Sequence, residues 1–231
     1  MPIKNLVVLA QARVIAGTRA LPHICTLSLD REKQELIRVC FPFSNRQVMP
    51  ARRWSEVNVL AYKADADKRR ESYFTDHLPE TVTQTISVAE KREVHKMLLG
   101  LAMPEREAME QSRSIVVNSV SNLKMHFYAL DEKNLHHKSV MHSMHRLYYP
   151  DRRILISGAH REDGKTFRRA LLDWGFAEYL RKNAHDPDRY EKLKGTLTSY
   201  KNPYLISGTH HRHTKSYMAV AVLSAPFPQA A

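Results

Sequence analysis

Ile154-Leu155-Ile156-Ser157-Gly158-Ala159-His160 returns fifty positions later as Tyr204-Leu205-Ile206-Ser207-Gly208-Thr209-His210. Each copy opens on branched apolar residues suited to a buried strand, reaches a Ser-Gly pair that predicts a turn, and presents a histidine beyond it. Between the copies, Lys165 to Lys182 carries the clearest long helix signal. At about 100° per residue, Phe167, Ala170, Leu171, Trp174 and Ala177 form one apolar stripe. Leu172, Phe176, Tyr179 and Leu180 form a second stripe on the opposite side, which predicts a helix over about 165–182 clamped between two layers. After the second copy come His210-His211-Arg212-His213-Thr214-Lys215 and a closing strand, Tyr217 to Leu223, which Pro226 and Pro228 stop. Strands with one embedded helix imply an α+β, β-rich fold.

Upstream, Leu6 to Ala10 reads as a buried strand. Cys25, Leu27 and Leu29 alternate with Thr26 and Ser28, the period of a half-buried strand. The polar turn 30–34 leads to another run, Leu36 to Phe43, in which Pro42 marks an end, a bend or an edge. Val57 to Tyr62 is the next strand. Several short strands before any helix point to a small barrel or sandwich. Ser87-Val88-Ala89-Glu90 is a capping-box match, followed by Val94, Met97, Leu98 and Leu101 at helical spacing. The chain therefore divides into a β-rich segment 1–78, a helical connector 79–122, and a second β-rich segment 123–231 beginning with a strand from Leu123 to Leu130.

A chain of 231 residues with 43% hydrophobic content suffices for one large or two small domains with a real core. Lys and Arg number 36 against 24 Asp and Glu, a formal charge of +12. Such a balance suits a polyanion partner, nucleic acid first. No run is long enough to span a bilayer, so the expectation is a cytoplasmic protein with no membrane partner. Cys25 and Cys40 are read as reduced core residues that would pair only if neighbouring strands brought them together; two thiols cannot make a four-thiolate zinc site. With seven glycines, neither a phosphate loop nor a Gly-x-Gly-x-x-Gly run occurs, and Gly-x-Ser-x-Gly is missing.

Three places resemble a group of small bacterial dual OB-domain proteins, and together they run through nearly the whole chain. They are the opening Leu6-Val7-Val8-Leu9-Ala10-Gln11-Ala12-Arg13 with Leu36-Ile37-Arg38-Val39, the stretch Leu171-Leu172-Asp173-Trp174-Gly175-Phe176-Ala177-Glu178-Tyr179, and the ending with Gly208, His211 and Lys215-Ser216. The resemblance implies an OB-like barrel over 1–78 and an OB-like domain over 123–231. By fold analogy it also implies binding of single-stranded nucleic acid or a related polyanion. The group's cysteine-bearing segment before the long helix is replaced here by His160-Arg161-Glu162-Asp163-Gly164-Lys165, so no metal or redox role carries over, and no cofactor or metal is expected.

Basic residues recur beside aromatics, the combination that holds phosphates and stacks bases. Arg46, Arg52, Arg53 and Trp54 form one group, with Trp54 more often a core residue. Lys63, Lys68, Arg69, Arg70 and Tyr73 form another; Arg146, Tyr148, Tyr149, Arg152 and Arg153 a third. His136, His137, His142 and His145 lie in a loop with Lys138. His211, Arg212 and Lys215 suit phosphate contact or a plain polar loop; of the histidines there, His211 and His213 share one side of a strand. The leading expectation is a non-enzymatic protein that binds single-stranded DNA or RNA. One alternative is a nuclease or phosphodiesterase using His211, His213 and Lys215, although the paired His-x-Ser/Thr signature is absent. The other is a basic subunit of a protein or ribonucleoprotein complex. Asp173 and Glu178, five apart, read as solvent or salt-bridge positions rather than a metal pair.

Overall fold

The computed structural model describes residues 2–12, 23–42, 51–63, 67–129, 152–210 and 213–224. With 47% strand and 22% helix it is an α+β, β-rich fold of two sheets, as the sequence led us to expect.

The first sheet contains β1 (Pro2–Gln11), β2 (His23–Asp30), β3 (Glu35–Pro42), β4 (Glu56–Leu60), β5 (Ser72–Phe74) and β6 (Glu80–Thr81), in the order β5-β3-β2-β1-β4-β6. Pro42, opposite His23, is the last residue of β3 among the described residues. β1 pairs antiparallel with both β2 and β4, while β3 runs parallel to β5. Just past β4, Tyr62 exchanges two 2.8 Å backbone hydrogen bonds with Phe74, so the sheet curls until β4 meets β5. Leu6, Val8, Ile37, Val39, Phe41, Val57, Val59 and Tyr73 fill its interior.

Ser87 caps α1 (Val88–Gly100) in the predicted capping box with Glu90, and α2 (Glu105–Glu110) follows. The second sheet then runs through β7 (Ile115–Ala129), β8 (Arg152–His160), β9 (Thr166–Ala170), β10 (Tyr204–His210) and β11 (His213–Leu223), ordered β11-β10-β7-β8-β9. Two helices, α3 (Trp174–Lys182) and α4 (Arg189–Thr198), lie between β9 and β10. β7 begins at Ile115, earlier than expected from Leu123, and the helical connector is correspondingly shorter. Its first part pairs with β10 and its later part with β8. The partner changes between Ser119 and Val120, and the β8 pairing then shifts register between Ser121 and Lys124, where Asn122 adopts a left-handed φ of 52°, a conformation Asn tolerates better than most residues. Leu171 bridges in parallel to Ala219, bringing the continuation of β9 against β11. The strand order and directions therefore match those of the first sheet: in each, the first strand pairs with the second and fourth, and the third runs parallel to the fifth.

Two sequence expectations are corrected here. The helix does not start at 165, since Thr166–Ala170 is a strand on β8, and α3 begins only after Asp173. The Asp173 side chain accepts a hydrogen bond from Gly175 N–H, which makes Asp173 the N-cap. Nor are the two Ser-Gly pairs turns, for both lie inside strands. A Cβ on Gly158 would stand 2.9 Å from the Ser121 carbonyl oxygen, and one on Gly208 would stand 2.8 Å from Arg38 Nη2. Both glycines are there for close approach. The two copies flank β7 on opposite edges and face opposite ways: Ile154 and Ile156 point into the sheet's own core, whereas in the second copy it is Leu205 that does.

That core also takes Leu123, Met125, Phe167, Leu171, Val222 and, from the helices, Phe176, Leu180, Leu193 and Leu197. A third cluster joins the sheets. Val7, Leu9, Leu27, Leu29 and Leu36 meet Ile115, Val117, Tyr204, Ile206, Val220 and Leu223, with Val94 and Leu98 of α1 closing one side. β1 is thus buried on both faces, which is why Leu6 to Ala10 is uninterruptedly apolar. Contrary to the reduced reading, Cys25 and Cys40 form a disulfide; they are direct partners across β2 and β3. Among the described residues no helix is long and apolar enough to cross a membrane.

Candidate nucleic-acid interface

In the later part of β7, Leu123, Met125 and Phe127 point toward the helices, so by strand alternation Lys124, His126 and Tyr128 take the other face. Ser157 of β8 and Arg168 of β9 share it. The His126 ring nitrogen lies 2.8 Å from Ser157 Oγ, and the Arg168 guanidinium lies 5.2 Å from the centre of the Tyr128 ring. Lys124, Tyr128 (39% exposed) and Arg168 are open to solvent, while His126, Leu155, Ser157, Ala159 and Ala170 are half-buried beneath them. Residues 123–129, 152–160 and 166–172 contain no Asp or Glu at all. Three adjacent strands therefore offer cations and an aromatic ring with no carboxylate among them.

The equivalent face of the first sheet is closed. Leu27, Leu29 and Leu36 are buried against β10 and β11. Arg38, only 8% exposed, donates to Ser72 Oγ at 2.8 Å. Burial and the neighbouring Arg69 bring its guanidinium down to about 9, against the opposing pull of Asp67 and Glu71. Glu71 in turn receives hydrogen bonds from Ser114 N–H and Ser114 Oγ at 3.1 and 2.7 Å. A second polar seam lies nearby, where Arg169 pairs with Glu105 and donates to Ser207 Oγ. His160, 4% exposed, sits 3.7 Å from Glu105 with neither ring nitrogen hydrogen-bonded. Tyr217, whose hydroxyl donates to the Arg113 carbonyl, is pushed up to about 12 by burial, then by Glu105 and Glu71.

These seams absorb several residues predicted as nucleic-acid contacts. Arg53 pairs with the buried carboxylate of Asp173, clamping the first sheet to the start of α3. Arg69 binds Asp67 at 2.5 Å and donates to the Thr209 carbonyl at 2.7 Å, tying the β5 side to β10. Tyr73 is buried inside the first sheet, with Lys63 Nζ 3.7 Å from its ring centre. Trp54 packs on the cluster between the sheets, as its core reading anticipated. Arg52, Lys68 and Arg70 are exposed. Arg152 stacks 4.5 Å over Tyr190, an α4 residue that itself packs on Phe127, on the face opposite Lys124. Asp173 is a buried cap rather than a solvent position, and Glu178 pairs with Arg181 and Lys182 on the helix surface.

Arg46, Arg146, Tyr148, Tyr149, His211 and Arg212 lie outside the described residues, as do the histidines of 136–145. So do the side chains of Arg153, His213 and Lys215. The open face itself went unnoticed in the sequence. Its signal is the alternation in Lys124-Met125-His126-Phe127-Tyr128, where polar and apolar positions trade places at every step. No family model matches the chain, and comparison with curated proteins returns no match.

Proposed function

We propose that the protein binds single-stranded nucleic acid, without chemistry, across the outer face of β7, β8 and β9. The observation that carries this reading is the acid-free face bearing Lys124, His126, Tyr128 and Arg168. Cations there neutralise phosphates and release counterions. Tyr128 offers a ring on which an unpaired base stacks, a contact worth about 1–3 kcal/mol per base.

The shared strand order of the two sheets supports reading both as OB-like barrels. So do the parallel third and fifth strands and, in the second half, the helices between the third and fourth strands. OB barrels engage oligonucleotides on the face of their second and third strands, between the loop joining strands one and two and the loop joining four and five. In the second half those strands are β8 and β9. The segments that join the corresponding strands, residues 130–151 with their histidines, Arg146, Tyr148 and Tyr149, and residues 211–212, lie outside the described residues. In the first half the same face is occupied by the chain's own second sheet, so one oligonucleotide site per chain is expected.

Fluorescence anisotropy with labelled oligonucleotides at about 50 mM salt tests the proposal. The wild type should bind, with affinity falling steeply as salt rises. Tyr128→Ala should weaken binding by about 5- to 150-fold, the stacking energy converted to affinity. Arg168→Glu should weaken it further, while Arg106→Ala, an exposed cation on α2 already paired with Glu110, leaves it unchanged. Absence of wild-type binding, or Tyr128 and Arg168 variants that bind like wild type, overturns the assignment.

A further inference from the structure

Cys25 and Cys40 oppose each other in the β2–β3 pairing with Cα atoms 4.0 Å apart. Their carbonyls accept hydrogen bonds from outside the pair: Cys25 from Ala12 N–H at 2.8 Å and Cys40 from Thr75 N–H at 3.1 Å. A position whose backbone groups turn away from the partner strand is a non-hydrogen-bonded pair, the kind in which side chains stand closest. Both sulfurs are buried, beside Ala12 and Phe74. His23 precedes Cys25 by two residues, hence on the same face of the strand. One of its ring nitrogens lies within 4.8 Å of both sulfurs, and the ring is half-buried at the rim.

The His23 ring packs edge-on against Phe74 and stands beside both sulfurs. Two sulfurs and one nitrogen at this separation match the donor set of Zn²⁺, which takes Cys and His in tetrahedral sites and accepts water as a fourth ligand. We propose that Cys25, Cys40 and His23 form a zinc site when the disulfide is reduced. The pair thereby alternates between a covalent cross-link and a metal cross-link of the same two strands. Reduction by an external dithiol runs through two thiol–disulfide exchanges. The Sγ–Sγ bond breaks, the dithiol is oxidised to its own disulfide, and its two protons pass to Cys25 and Cys40. Zn²⁺ then displaces those two protons as the thiolates and the neutral imidazole bind it. Binding draws on residues absent from the β7–β9 face, so it is independent of nucleic-acid binding.

The test uses the full chain, reduced with dithiothreitol, desalted without oxygen and titrated with Co²⁺ as a spectroscopic stand-in for Zn²⁺. A thiolate-to-cobalt charge-transfer band should grow to saturation at one ion per chain, and Zn²⁺ should bleach it. Oxidised protein and the Cys25→Ser/Cys40→Ser variant should show no such band. His23→Ala, a change at the rim that spares the core, should weaken Co²⁺ binding by at least about tenfold. X-ray absorption on the zinc-loaded wild type gives a reading independent of whether the serine variant folds: two sulfurs at about 2.3 Å with nitrogen and oxygen completing the shell. No charge-transfer band in reduced wild type overturns the proposal. So does equal affinity in oxidised protein, undiminished binding by His23→Ala, or an absorption spectrum without sulfur.

Discussion

Gly208 of β10 leaves room for the Arg38 guanidinium of β3. With a Cβ at Gly208 only 2.8 Å from Arg38 Nη2 and 3.1 Å from Val220 Cγ2, Gly208→Ala should destabilise by about 1–3 kcal/mol, the usual cost of overpacking. The guanidinium is the end of a flexible chain, but Ser72 and burial hold it. A double-mutant cycle in denaturant separates the two clashes: on an Arg38→Ala background the cost of Gly208→Ala should shrink by more than ~0.5 kcal/mol, leaving the Val220 contact. His160 supplies a second expectation. Burial lowers its pKa, outweighing the attraction of Glu105, so the folded protein resists protonating it while the unfolded chain protonates near pH 6.5. The stability this contributes is present above about pH 6.5 and is lost as pH falls toward the depressed folded value, with a slope of up to ~1.4 kcal/mol per pH unit. Phe167 packs 4.8 Å from the ring, so His160→Phe keeps an aromatic there and should flatten this part of a stability–pH profile. An unchanged profile would remove His160 from the account.

At the scale of elements, Asp173 decides where strand gives way to helix. Its carboxylate caps α3, pairs with Arg53, and is only 2% exposed; burial pushes its pKa up against the pull of Arg53. Asp173→Ala should cost about 2–3 kcal/mol, the sum of a lost cap and a lost charged hydrogen bond. Asp173→Asn keeps the cap and should cost under ~1 kcal/mol, because Arg53, partly exposed, can turn to water; urea unfolding of the two variants decides. The cap also explains the misplaced helix start. Phe167, Ala170 and Leu171 fit a helical stripe as well as a strand, and residue spacing alone cannot choose between the two periods. Pairing with β8 makes the choice. The capping box at Ser87 and the strand around Cys25 were legible because each is a local effect. α4 went unread: its buried Leu193 and Leu197 are a short stripe interrupted by Gly195, too little to stand out. The disulfide needed the β2–β3 register, which no local pattern supplies.

At the scale of the molecule, two sheets of one topology use the same face for opposite ends, one to hold its neighbour and the other left open. The excess of cations in the sequence pointed to a polyanion. It could not say which cations would be free, because the partners that hold Arg53 and turn Arg69 inward, the Asp173 cap and the Thr209 carbonyl, lie more than a hundred residues away in sequence. The shared cluster of Leu27, Leu29 and Leu36 with Ile206, Val220 and Leu223 has a mechanical consequence. Apolar burial at about 25 cal/mol per Å² makes the faces of both sheets costly to expose, so neither should unfold ahead of the other. The chain has two tryptophans, and each half carries one: Trp54 packs at the junction, and Trp174 is buried at the start of α3. Trp174→Phe leaves a reporter of the first half and Trp54→Phe a reporter of the second. Their fluorescence should follow denaturant with the same midpoint and slope as circular dichroism does, the mark of one cooperative unit. Midpoints that separate would mean that each curled sheet is stable alone, and that the apolar seam and the Arg53–Asp173 clamp merely dock two finished domains.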